Sequence, residues 1–207
     1  MNQRPTRSRR AFSLIEVLVA LAITATMLTA ALTALDVSFK SYKVTTESAS
    51  TNVVARMVIA RVMTMVRTGT QFGPYPVDPL DSAQNPVTST YIEFVSLDDA
   101  ATGKKSIVRL ERRDQADPAN GPYELWYVET DFSGGVQTSQ NARPLLSGVQ
   151  EARFTLEYDV GQNLQRATVD LTIKPNNFQG AAMSGAIEAP SIRLVSSVNP
   201  RKLVSAD

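Results

Sequence analysis

Glu16 is the only charged side chain in the run FSLIEVLVALAITATMLTAALTAL, residues 12–35. An acid inside an apolar segment costs on the order of 2–3 kcal/mol on insertion scales, less near the membrane edge, so its presence needs a reason. Other groups able to do chemistry are sparse. Asp98-Asp99 with Glu93 nearby offer carboxylate oxygens of the kind calcium takes, but the spacing matches no EF-hand loop and a solvated turn is the better reading. Lys104-Lys105 and Arg112-Arg113 are small basic pairs in a charge-balanced region, and they read as polar strand edges rather than a phosphate site. Trp126 lies between Tyr123 and Tyr127 and suggests an aromatic platform. On a strand, though, the tyrosines share one face and the tryptophan takes the other, so core packing on one side and partial exposure on the other suffice. Gly134-Gly135 is a turn, and nothing matches a phosphate loop or a dinucleotide fingerprint.

Composition narrows the chemistry further. The 207 residues include no histidine and no cysteine, which excludes a Ser-His-Asp triad, a cysteine nucleophile, a thiolate or imidazole metal site and a disulfide framework. No catalytic residue, metal ligand or cofactor is assigned, and the chain is not expected to be an enzyme. A membrane-tethered carboxylate hydrolase would need an acid pair that the sequence does not offer. The net charge of +1 rules out a strongly basic nucleic-acid binder, and no nucleic acid is expected as a partner. The charge is uneven, however. Arg4, Arg7, Arg9 and Arg10 crowd the first ten residues, and without residues 1–11 the chain carries 17 basic groups against 20 acidic. Lack of cysteine suits a reducing cytoplasm and equally a periplasmic domain with a sufficient core.

Residues 17–35 are 19 uncharged residues, which at ~1.5 Å each span ~28 Å as a helix, close to the hydrocarbon thickness of a bilayer. The arginines precede this run, so the positive-inside rule places them in the cytoplasm and everything after Asp36 across the membrane. A cleavable signal peptide would also have a basic start and an apolar stretch, with Ala20-Leu21-Ala22 as an A-x-A site. That reading explains Glu16 badly, and a plain signal anchor meets the same objection.

The segment RRAFSLIEVLVALA, residues 9–22, resembles the class III signal of type IV pilins and type II secretion pseudopilins. In that family a prepilin peptidase cuts on the cytoplasmic side after a small residue, usually glycine, and methylates the new amino terminus. The resemblance implies a cut between Ala11 and Phe12, N-methylation of Phe12, and Glu16 as the fifth residue of the mature chain. Ala11 departs from the usual glycine. It is the next smallest side chain, so processing is expected to persist, more slowly. The resemblance further implies that Glu16 meets the terminal amine of an adjacent subunit and so serves subunit assembly. The motif covers about 25 residues. LLSGV, residues 145–149, followed by a strand over 152–158, looks like the corresponding stretch of J-type minor pseudopilins and the related W-type minor pilins. Glu16 argues against the K-type tip subunit, which typically lacks the acid.

The remaining elements must present this terminus. Residues 36–68 contain no glycine or proline, and Val54, Val58, Val62 and Met65 recur at spacings of four and three with Arg56 and Arg67 on the far side. Arg61 interrupts that stripe, and the stretch TTESASTN, 45–52, holds poor helix formers that predict a bend or fraying. Gly69 and then Gly73-Pro74 stop the helix, whose 57 residues from Phe12 would measure ~85 Å. Residues 74–86 read as a loop. Period-two runs follow at 88–97, 106–112, 123–130, 151–158 and 164–174, with a turn at Gly161-Gln162-Asn163, a polar loop over 175–190 and a last strand over 191–198.

The expected fold is therefore α+β and pilin-like: a long N-terminal helix, transmembrane in its first half, packed on an antiparallel sheet. Its divisions are a leader at 1–11, a transmembrane segment at 12–35, an amphipathic continuation at 36–69 and a periplasmic head at 70–207. The expected function is that of a minor pseudopilin near the tip of a type II secretion pseudopilus, with a minor pilin of a type IV pilus as the alternative. A periplasmic binding module on an uncleaved anchor is the alternative of another class. The partners implied are the prepilin peptidase, other major and minor pseudopilins or pilins, an inner-membrane assembly platform and membrane lipid. The location implied is the bacterial inner membrane, single-pass with the N-terminus cytoplasmic, and then the filament.

Overall fold

The computed structural model describes residues 13–115, 122–174 and 191–201. The junction of Ala11 and Phe12 and the expected loop over 175–190 lie outside the described residues. One helix, α1 (Leu14–Thr68), precedes eight strands: β1 (Thr70–Gly73), β2 (Val87–Ser89), β3 (Tyr91–Asp99), β4 (Lys104–Asp114), β5 (Tyr123–Ser133), β6 (Val136–Tyr158), β7 (Leu164–Ile173) and β8 (Ile192–Val198). This is the α+β, pilin-like architecture that the sequence predicts. Contacts divide the described chain into two compact units, one up to Lys43 and one from Val44.

In the first unit the helix carries no charge from Val17 to Leu35, and its apolar span is unburied. In the second unit it has a single buried stripe, Ala55, Ile59, Val62 and Val66. The stripe is rotated from the one expected by less than the ~100° that separates successive residues. Val54 is exposed, Val58 and Met65 pack only partly, and Arg61 lies in solvent where it interrupts nothing. Ala55, fully buried, opens this stripe, and Ile59, Val62 and Val66 continue it along one face of the helix. The polar stretch 45–52 does not break the helix. Ser50 Oγ donates to the Glu47 carbonyl (3.0 Å) and Arg56 Nε donates to Asn52 Oδ1 (2.6 Å), so these residues bond along the helix instead of competing with it.

The sheet is antiparallel throughout, in the order β1-β3-β4-β5-β6-β7-β8, with β2 beside β6. Its helix-facing side holds Ile92 and Phe94 of β3, Leu110 of β4, Leu125 of β5, Phe154 and Leu156 of β6, and Leu171 and Ile173 of β7. Each such side chain contributes about 1.5–3 kcal/mol when removed from water. The alternation expected over 151–158 and 164–174 is observed, with Ala152↔Leu171, Phe154↔Val169 and Leu156↔Ala167 as partners. Two features exceed the expectation. β6 begins fifteen residues earlier, because Gly134 and Gly135, both at positive φ (58° and 79°), close a two-residue hairpin that registers Ser133 with Val136. Gly148, at φ 73°, then re-aims β6 from β5 to β7, and its carbonyl accepts from Lys174 N–H (2.9 Å).

The helix C-terminus is fixed by two contacts. Arg201 N–H donates to the Arg67 carbonyl (2.9 Å), one of the groups left open at a helix end. Gly69 N–H closes onto Met65 O (3.0 Å), and a Cβ on Gly69 would stand 2.6 Å from Cδ2 of Phe94, a fully buried ring that packs on Phe72 at 5.7 Å. The loop before β2 is tied down by Asn85, whose amide mimics a strand. Its Oδ1 accepts from Tyr158 N–H (3.0 Å) and its Nδ2 donates to Tyr158 O (2.8 Å) and Pro79 O (2.8 Å). Burial raises the pKa of the Tyr158 hydroxyl, and Tyr75 and Glu93 add to the shift.

Gly69→Ala is expected to destabilise the head by about 1–3 kcal/mol, since the buried ring has no room to retreat. A thermal melt measures this, and the loss should shrink when Phe94→Leu is added. Asp170 gives a pH signature. Arg193 Nε and Nη2 donate to its two oxygens at 3.0 and 2.6 Å and hold its carboxyl below the usual carboxylate range, against a smaller opposing effect of desolvation. A depressed folded pKa means stability that is present above the unfolded value of about 3.9 and lost as pH falls through the folded one. Asp170→Asn should therefore cost at most ~1 kcal/mol at pH 7, with the difference from the parent vanishing in melts taken well below pH 4.

Candidate functional site

Helix α1 starts at Leu14, and Ser13 is its N-cap. Glu16 N–H donates to Ser13 Oγ (3.2 Å) and to Ser13 O (3.1 Å), and Val17 N–H donates to Ser13 O (3.2 Å). Ser-Leu-Ile-Glu over 13–16 is the S-x-x-E spacing of a capping box, a signal present in the sequence that hydropathy alone passes over. Glu16 therefore sits in the first turn, where the helix dipole favours a negative charge, and its residue is exposed.

Behind Glu16 the side chains of Val17, Leu18, Val19, Leu21, Ile23, Met27, Leu28, Leu32 and Leu35 all stand more than half exposed. Among the described residues this is the one helix long and apolar enough to cross a membrane. Its polar residues are internally satisfied. Thr24 donates to the Ala20 carbonyl, Thr26 to Ile23 (2.8 Å), Thr29 to Ala25 (2.9 Å) and Thr33 to Thr29 (2.8 Å), so no hydroxyl of the four needs water. Glu16 is different, since a carboxylate finds no donor on a helix surface of aliphatic side chains. The arrangement brings one acid, one capped helix start and a hydrocarbon-length apolar surface into a single element. Ala11 and Phe12, the remaining members of the expected site, lie outside the described residues.

The head disperses the other candidate groups. Glu93 faces Arg109 (3.6 Å) and Asp98 faces Lys105 (3.9 Å). Asp99 caps its own turn, accepting from Thr102 Oγ1 (2.6 Å) and Ala101 N–H (3.1 Å), and these bonds, led by that of Thr102, hold its carboxyl below the usual range. Among the described residues no three acidic side chains converge on a metal position. Lys104 and Lys105 lie across from Asp99 and Asp98 in the β3–β4 hairpin. Arg112 and Arg113 turn to opposite faces, Arg112 over the ring of Tyr123 (4.1 Å) and Arg113 over that of Trp126 (4.7 Å). Trp126 Nε1 donates to Glu124 Oε2 (2.8 Å), so the platform face is already occupied by side chains of the same sheet.

A family model described as a prokaryotic N-terminal methylation motif matches residues 6–32. No curated protein and no solved structure matches the chain. Proteins with this motif are structural subunits and not enzymes, and the motif implies processing by a prepilin peptidase and partners in pilus assembly. Ser13→Ala should remove about 1 kcal/mol from the helix start, read as roughly fivefold faster amide exchange at Glu16 in micelles with no change in the head. Arg7, Arg9 and Arg10 of the basic start, the capped acid and the opening of the lipid-length helix lie within residues 6–32, the stretch that carries the class III N-terminal methylation motif.

Proposed function

We propose that the protein is a minor pseudopilin, a structural subunit built into a type II secretion pseudopilus near its tip. On this reading it enters the inner membrane with its arginines in the cytoplasm, is cut between Ala11 and Phe12, and is methylated on Phe12. The observation that carries the reading is Glu16 on a span whose side chains are otherwise aliphatic, small or self-satisfied. A mature chain beginning at Phe12 has a cationic amine four residues before the acid. A neighbour displaced along the filament can set its amine beside Glu16. Opposite charges ~4 Å apart at an effective dielectric of ~20 attract by ~4 kcal/mol, enough to offset the desolvation of a lone acid. The interaction exists at one axial offset only, so it sets register while the apolar surfaces supply the bulk of the contact. Withdrawal of residues 14–35 from lipid into a bundle of like helices gains packing without uncovering backbone groups.

The same observation serves a minor pilin of a type IV pilus. The likeness of residues 145–158 extends to J-type minor pseudopilins and W-type minor pilins alike, and so supports a minor subunit in either filament. A binding module on an uncleaved anchor leaves Glu16 without a partner.

Mass spectrometry of the chain from its native membrane is expected to show methyl-Phe12 at the amino terminus; an intact leader would support the anchored module, and a start beyond Ala22 an ordinary signal peptide. Glu16→Ala should leave the span inserted and the leader cut but reduce incorporation into filaments at least tenfold. Unchanged incorporation would remove the charge-register account.

A further inference from the structure

Between Val136 and Arg143, strand β6 has a neighbour on one side only. It pairs with β5 from Ser133↔Val136 to Tyr127↔Arg143, while β7 and β2 join β6 only from Val149 onward. Among the described residues nothing pairs on the other side, and every residue of 136–144 is exposed. Alternate residues of an antiparallel strand turn N–H and C=O to the far edge, so about four residues here hold out backbone donors and acceptors. Edges of this kind are normally blunted by charge, proline, bulges or shortness. β1, at one end of the sheet, has four residues and a positive φ at Gln71, and β8, at the other, carries Arg193 clamped on Asp170. The β6 edge reads Val-Gln-Thr-Ser-Gln-Asn-Ala, seven residues without charge or proline, before Arg143 and Pro144.

We propose that this edge pairs antiparallel with the same edge of a second copy of the chain. The sequence of the edge selects a copy of itself as occupant. An uncharged strand does not repel its twin, and it offers no counter-charge to a charged one. Gln137 and Asn141 both donate and accept, and Thr138, Ser139 and Gln140, which donate to Asp131 and Thr130 of β5, keep acceptor oxygens, so identical rows are complementary when they meet head to tail. Antiparallel pairing centred on Gln140 sets that residue opposite its own copy and puts each Arg143 across from Gln137 of the other strand, away from its counterpart. The contact is isologous and closes at two copies, which distinguishes it from open-ended edge aggregation. A single added strand stays below the roughly 1,000 Å² of a stable interface, so the association is weak and reversible. It concerns the head alone and stands whether or not the leader is cut.

The test uses the full chain in detergent micelles, with hydrogen exchange over residues 136–143 followed from about 1 µM to about 1 mM, the range of weak association. Exchange there should slow at least tenfold with concentration, while the β3–β4 turn at Asp99–Gly103 is unaffected. Gln140→Lys and Gln140→Glu should each abolish the slowing, and an equimolar mixture of the two should restore it, because only facing copies bring the opposite charges together. Gln140 is exposed, and circular dichroism melts check that both variants keep the fold. Slow exchange already at the lowest concentration would mean that the chain covers its own edge and would overturn the proposal. So would fast exchange throughout, protection that survives either single substitution, or a mixture that fails to restore what each variant lost.

Discussion

The structure depends on one helix whose two halves carry different surfaces. Backbone groups bonded within α1 suit its apolar first half to hydrocarbon, where an open N–H or C=O would cost several kcal/mol. The same periodicity lets its second half bury a stripe of Ala55, Ile59, Val62 and Val66 against a sheet and leave Arg56, Arg61 and Arg67 in water. The composition changes accordingly along its length. From Val17 to Leu35 the polar residues are threonines that bond back to the helix; after Asp36 hydroxyls such as Ser50 and Thr64 still do so, but charges and amides join them and bond sideways, as Lys40 does to Asp36 (2.7 Å) and Arg56 to Asn52. Glu16 alone follows neither pattern, and that singles it out as the residue on which the proposed register rests.

Long-range order in the head comes from glycine at a few forced positions and from side chains that imitate backbone. Gly69 clears the way for Phe94, Gly134 and Gly135 set the β5–β6 register, and Gly148 lets β6 leave β5 for β7. Asn85 closes the loop ahead of β2 by taking both hydrogen-bonding groups of Tyr158. A slip of one residue at any of these points would turn Phe154, Leu156, Val169 and Leu171 to the wrong face, so few local constraints hold the entire core in phase.

These dependencies explain what could be read in advance. The α+β class, the helix stop and the strands at 151–158 and 164–174 were legible because each is a local pattern: a period, a breaker, an alternation. The helix stripe was displaced by less than one residue's turn, from Val54 and Val58 to Ala55 and Ile59, because both faces carry apolar side chains and the period alone does not choose between them. The first half of β6 was missed because residues 136–144 are exposed on both faces and have no alternation to detect, their strand state being imposed by a two-glycine turn and a partner. β1 is too short to show a period at all. At the amino terminus the acid and the apolar run were plain, while the cap by Ser13 went unseen because hydropathy does not register a hydrogen bond.

The outer face of the sheet shows why specific contact is left to other parts of the molecule. Glu111 accepts from Arg109 Nε (2.6 Å) and Arg113 Nε (2.5 Å), and those guanidiniums cover the rings of Tyr91 and Trp126 at 3.8 and 4.7 Å. Singly, such exposed pairs contribute little, of order 0–1 kcal/mol. Jointly they commit Arg109 and Arg113 to Glu111 and to one face each of Tyr91 and Trp126. On the proposed reading, recognition then falls to other groups: the acid at the start of the helix, the apolar surface behind it, and the uncharged strand edge that no part of the described chain takes up.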